Sequence, residues 1–151
     1  MNLDPKELDA DNHKWMLGQM RLESGTLLVR LNETAKNYVA HPELGIKLGF
    51  AIPFNSEPVG GMPNPEENDV LNLFEDQVIE TVASNAVGIH VLTLTAPHVK
   101  ELVFYIAENA DIGSMHEQLQ ATSASHEVQC MAVREPDWGT FLDYLPRSLA
   151  E

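Results

Sequence analysis

The sequence predicts an α+β fold: a two-layer, ferredoxin-like sandwich of the split β-α-β kind, with an antiparallel sheet. Three observations carry that expectation. Over residues 44–54, Leu44, Ile46, Leu48, Phe50 and Ile52 alternate with Gly45, Lys47, Gly49 and Ala51, the period of a half-buried strand. Asn64, Pro65 and Glu67 then supply a cap, a first-turn proline and a capping-box carboxylate, and the stripe Val70, Leu71, Phe74, Val78, Val82, Ala86 carries a helix to about residue 86. Beyond it, residues 88–96 and 99–107 read as two strands joined at Ala96-Pro97-His98. A second helix over 111–122 turns Ile112, Met115 and Leu119 inward, and a last strand spans 127–133. From Leu44 the order is β-α-β-β-α-β.

The flanks extend this unit. Residues 1–12 form a polar lead-in, followed by strands over 13–21 and 25–32 with a turn at Glu23-Ser24-Gly25. In the second strand Leu27, Val29 and Leu31 alternate with Leu28, Arg30 and Asn32, so an N-terminal hairpin widens the sheet. Residues 32–42 are polar and irregular, with a turn of helix over 34–39. Pro58, Gly60, Gly61 and Pro63 mark 55–64 as a loop. A short C-terminal helix over 136–145 carries Trp138, Phe141, Leu142 and Leu145 and stops at Pro146, leaving 147–151 as a tail. One α+β domain over 13–146 is expected. Ile89, Val91, Val103 and Tyr105 give the strands of 88–107 a second apolar face that needs cover. The chain's own ends, which bring Trp15, Trp138 and Tyr144, are the first choice. A second subunit is the alternative, so monomer and homodimer both stay open.

Charge excludes more than it selects. The 151 residues hold 23 acids against nine bases, a net charge of −14, with ordinary apolar (44%) and charged (21%) fractions. Nucleic acids and anionic membrane surfaces draw their affinity from Lys and Arg, so neither is expected as a partner. Between Lys47 and Lys100 lie 52 residues with no Lys or Arg and seven carboxylates: Glu57, Glu66, Glu67, Asp69, Glu75, Asp76 and Glu80. Such a surface raises the encounter rate with basic proteins, although solubility alone also explains acidity. Asp69, Asp76 and Glu80 lie off the apolar stripe, along one side of the helix. Glu66 and Glu67 extend that patch onto the first turn, where the helix dipole already favours acids. These five residues are the expected protein-binding set.

No reaction chemistry is expected, and no cofactor. Cys130 is the only cysteine, which rules out an intrachain disulfide, and its place in the apolar run 128–132 reads as core. His126 and Cys130, four residues apart on one strand, would sit about 13 Å from each other, too far to share a metal. No C-x-x-C, H-x-H, H-E-x-x-H or G-x-S-x-G occurs. The Gly60-Gly61 loop precedes a helix but lacks the lysine of a phosphate loop. Adjacent carboxylates such as Glu66/Glu67 and Glu75/Asp76 point apart on a helix and make no acid–base dyad. Asp4, Glu7, Asp9 and Asp11 stand where a signal peptide needs apolar residues, and no window approaches a membrane span. Cytoplasm is expected.

Landmarks run in a recognisable order: Trp15, Val29-Arg30-Leu31-Asn32, His41-Pro42, Gly61-Met62-Pro63, Glu75-Asp76, Thr93 and Thr95, Phe104-Tyr105, and Glu135-Pro136-Asp137-Trp138. This series resembles a bacterial family, domain of unknown function 695, over roughly residues 13–146. That family's terminal motif is D-P-E-W; here the two acids are exchanged. The resemblance implies an α+β fold and no established activity, so it supplies no catalytic residue. A related group, the protein regulator of ribonuclease E activity (type B), is similar in its terminal D-x-x-W-like step and its acidity, and binds a basic ribonuclease rather than RNA. The leading functional expectation is therefore a non-enzymatic, regulatory module that binds a basic protein, in the manner of a ribonuclease inhibitor. The alternative is a small-molecule-binding or enzymatic domain using the open sheet face with Thr93, Thr95 and Tyr105.

Overall fold

An open antiparallel sheet of six strands, in the order β1-β2-β4-β5-β3-β6, organises the chain in the computed structural model, which describes residues 4, 5 and 12–146. Most of the 1–12 lead-in and all of the 147–151 tail lie outside the described residues. The elements are β1 (Trp15–Leu22), β2 (Gly25–Asn32), a 3-10 helix (Glu33–Tyr38), β3 (Ile46–Pro53), α1 (Pro65–Asn85), β4 (Gly88–Thr95), β5 (Val99–Ile106), α2 (Ile112–Thr122), β6 (Gln129–Arg134) and α3 (Gly139–Tyr144). The fold is thus the mixed helix-and-strand class that the alternating strands and the capped helix imply.

Both sheet faces carry a core. On one, α1 and α2 pack Leu71, Phe74, Val78, Met115 and Leu119 against Leu48, Phe50 and Phe104. The other is covered by the 3-10 helix and the α3 segment, whose Tyr38, Trp138 and Phe141 meet Leu31, Val91 and Tyr105. The second apolar face read from the sequence is therefore closed by the 3-10 helix and the C-terminal segment of the chain itself. Trp15, also expected in that cover, lies instead against His90, whose ring stacks on Phe104, on the face that carries α1. Trp138 sits at the centre of that cover, its Nε1 donating to the Leu44 carbonyl at 2.8 Å.

Local chemistry explains the joints. Asn64 accepts the Glu67 amide at 3.1 Å and Pro65 opens α1, as the cap reading expects. A tight turn at Glu23-Ser24 sets the β1–β2 register, Leu22 opposite Gly25. Gly25 is required there: a Cβ would lie 2.2 Å from the Gly61 carbonyl, which accepts the Thr26 amide at 3.0 Å. That contact ties the 55–64 loop to the hairpin.

Other residues also depart from the sequence reading. Leu44 precedes β3 and packs with Trp138, not with Leu48 and Phe50, because the chain has not yet joined the sheet. Val70 is 51% exposed, lying one position outside the stripe that Leu71 fills. His126 precedes β6, which begins at Gln129, so it shares no strand with Cys130.

Candidate functional site

Helix α1 sorts its six acids into two populations. Glu66, Asp69, Asp76 and Glu80 are exposed, as the helical spacing requires. They share the outer face with two apolar residues, Val70 and Leu73, the latter 71% exposed. Glu66, Asp69, Val70, Leu73, Asp76 and Glu80 follow one another at steps of three or four along that face, or one at the paired positions. A short apolar strip thus lies between carboxylates.

Glu67 does not belong to this face, a correction to the five-residue set. It is buried, and its carboxylate accepts the amides of Asn55 (2.5 Å) and Ser56 (2.8 Å) and meets His126 Nε2 at 2.6 Å. Burial alone would raise its pKa; the Asn55 amide, His126 and Ser56 outweigh that and hold it at about 2. The carboxylate at the third helical position turns outward to the preceding loop rather than back to the cap. It thereby clamps the 55–56 loop, the start of α1 and the turn before β6.

Glu75 is buried as well, between two cations from the sheet. Arg30 Nη1 of β2 lies 2.6 Å from Oε2, and Lys100 Nζ of β5 lies 3.6 Å from Oε1. Lys100, only 3% exposed, also donates to Asn72 at 2.7 Å and Asn68 at 3.4 Å. Its pKa is lowered by burial, with Arg30 adding to the shift and Glu75 opposing it. Nearby, a register shift in β4 between His90 and Leu92 brings His90 Nε2 within 3.0 Å of both the Leu92 carbonyl and Thr93 Oγ1. Burial drives the His90 pKa down to about 3 against the Leu92 bond, with Arg30 and His13 adding to the shift, so the ring is neutral.

The opposite face holds a second polar knot. Tyr105 donates to Glu135, which also accepts the Thr140 amide at 3.0 Å and hydroxyl at 2.9 Å and pairs with Lys47 at 3.5 Å. Burial pushes the Tyr105 phenol up, and Glu135 reinforces the shift. Opposed by burial, the Glu135 carboxyl is nonetheless lowered by Tyr105, Thr140 and Lys47. The residues of the terminal motif therefore build the cover over the sheet. Thr93, Thr95 and Tyr105 do not share a face: Tyr105 lies beneath Trp138, while Thr93 and Thr95 pair with Leu102 and Lys100 on the α1 side. All three are buried.

Other candidates resolve into structure. Burial raises the Cys130 thiol, the opposite of what an activated nucleophile needs. His116 Nε2 meets the Val128 carbonyl at 2.5 Å. Among the described residues no three His, Cys, Asp or Glu side chains gather as a metal site, and no helix is long and apolar enough to cross a membrane. Sequence reasoning missed the Arg30–Glu75–Lys100 cluster, although Glu75, four residues after Leu71, already stood beside the buried stripe. In the comparisons with known proteins, residues 13–146 match the model of a family described only as of unknown function, DUF695. No curated protein and no solved structure matches.

Proposed function

The chain belongs to DUF695, a family of unknown function, and from that premise we propose that it is a non-enzymatic regulatory module that docks a basic protein on the outer face of α1. The observation that carries this reading is the exposed pair Val70 and Leu73, set among Glu66, Asp69, Asp76 and Glu80 in a stretch without Lys or Arg. Interfaces combine an apolar centre with a charged rim, the rim speeding encounter with a complementary surface. The exposed acids gain nothing from each other and have no base at helical spacing to offset their repulsion. Ribonuclease regulation is the analogy, taken from the resemblance and not from any contact in this chain. The net charge of −14 argues against RNA, DNA or anionic lipid as the partner.

In the same reading the protein is cytoplasmic and acts as one domain over residues 13–146, as monomer or homodimer. The unit β3-α1-β4-β5-α2-β6 is ferredoxin-like, a reading supported by the strand order β4-β5-β3-β6 with every neighbour antiparallel. The alternative, a small-molecule or enzymatic domain on the sheet face, requires Thr93, Thr95 and Tyr105 to be reachable, and they are buried.

The test is capture of partners from native lysate with the wild type and with a variant carrying Asp69→Lys, Asp76→Lys and Glu80→Lys. The docking reading expects a folded variant, partners that elute from the wild type as salt rises, and capture by the variant reduced more than about tenfold. Unchanged capture would make α1 a solvated face only.

A further inference from the structure

Beneath the hairpin, on the side of the sheet that carries α1, the described residues leave a cavity of about 430 Å³. It lies within the range of small-molecule sites, which are mostly apolar with a few placed polar groups. One wall is aromatic. The His90 ring stacks on Phe104 (centroids 4.7 Å apart) and meets the Trp15 indole at 4.9 Å, making a continuous row of three rings. Ile79, Val82 and Ala83 of α1 form the facing aliphatic wall.

The rim carries the titratable His13 and one permanent charge, Arg30. Arg30 Cζ lies 5.3 Å from the Trp15 ring centroid, and among the described residues only its Nη1 makes a hydrogen bond, to Glu75. Its side chain is 40% exposed. Glu75 is already shared with Lys100, so two cations answer one carboxylate and a positive charge is left over. No carboxylate is among the described residues that line the cavity.

We propose that this cavity is a binding site for a small monocarboxylate with a flat, apolar body. The body lies between the Trp15–His90–Phe104 row and the α1 side chains, and the carboxylate meets the unengaged edge of the Arg30 guanidinium, whose planar fork suits carboxylate geometry. The neutral His90 adds aromatic surface and no charge. The site adjoins the acidic face of α1, Ala83 lying one helical turn from Glu80, but shares none of the docking residues, so either proposal can stand or fail without the other.

The test titrates the full chain with 4-phenylbutyrate, its neutral amide, 4-phenylbutylamine and inorganic phosphate. Binding is read from the two tryptophan indole N–H signals by NMR. The proposal expects saturable binding of the carboxylate at millimolar affinity or tighter, the range for about a dozen non-hydrogen atoms. The Trp15 signal should move and that of Trp138, bonded to Leu44 in the other core, should not. The amide and the amine should bind at least tenfold more weakly, and phosphate should not bind. Arg30→Gln should weaken the carboxylate at least tenfold while leaving the amide unchanged. If that variant does not fold, Ala83→Trp, at an exposed helical position on the rim, should abolish carboxylate binding. Equal affinity for the amide, absence of carboxylate binding, a moving Trp138 signal, phosphate binding, or an unaffected Ala83→Trp variant would each overturn the proposal.

Discussion

The indole of Trp138 lies flat on the Tyr105 ring, centroids 4.1 Å apart and planes 6° from parallel. The pair joins β5 to the segment that closes the sheet, and both side chains are fully buried. Trp138→Ala should therefore cost about 3–5 kcal/mol in chemical denaturation, the range for deleting a buried aromatic. Tyr105→Phe keeps the ring but removes the hydroxyl that donates to Glu135 and accepts the Phe141 amide, and should cost about 1–3 kcal/mol. Equal losses from the two variants would show that the hydroxyl, not the stack, holds the cover in place.

Glu67 makes stability depend on acid. Its folded pKa of about 2 lies below the ordinary value of 4.5, so the unfolded chain binds more protons between those values. The stabilisation is complete above about pH 4.5 and is lost as pH falls through about 2. Glu67→Gln should destabilise by roughly 2–3 kcal/mol at pH 7, and the gap to wild type should close across that acid window. A gap that stays constant from pH 7 to pH 2 would show that the carboxylate's ionisation contributes nothing.

The α1 stripe separates a core position from its neighbour. Phe74→Ala should cost about 3–5 kcal/mol, whereas Val70→Ala, at a half-exposed site, should fall within about 0.5 kcal/mol of wild type. Comparable losses at both positions would mean that α1 is rotated about its axis from the orientation described.

These residues also show how far the sequence could be read. Strand and helix periods placed Leu48, Phe50, Phe74 and Val78 in one core, since each element reports its own buried face locally. The cap at Asn64 was equally legible. Leu44 was misplaced because alternation continues two residues before the chain joins the sheet. Glu67 and Glu75 were harder, because a carboxylate on a helix looks the same whether water or a distant base receives it. The residues that receive them (His126, Arg30 and Lys100) lie 59, 45 and 25 positions away, and only the tertiary fold brings them to α1.

The Arg30–Glu75–Lys100 cluster gives the last test. Burying charges removes hydration that their attraction restores only when every partner is present. Glu75→Leu alone leaves Lys100 buried with only Asn68 and Asn72, and Arg30 without its carboxylate, so it should cost about 3–5 kcal/mol. Adding Lys100→Met removes the stranded charge and fills the site with an apolar chain of similar length. The double variant should then recover to within about 1 kcal/mol of wild type, or exceed it, a coupling that independent sites do not show. The loss in the single variant should also shrink as pH rises through the lowered Lys100 pKa, because an uncharged amine needs no counter-ion there. Additive losses in the double variant, with no dependence on alkaline pH, would mean that the three groups do not act as one buried unit.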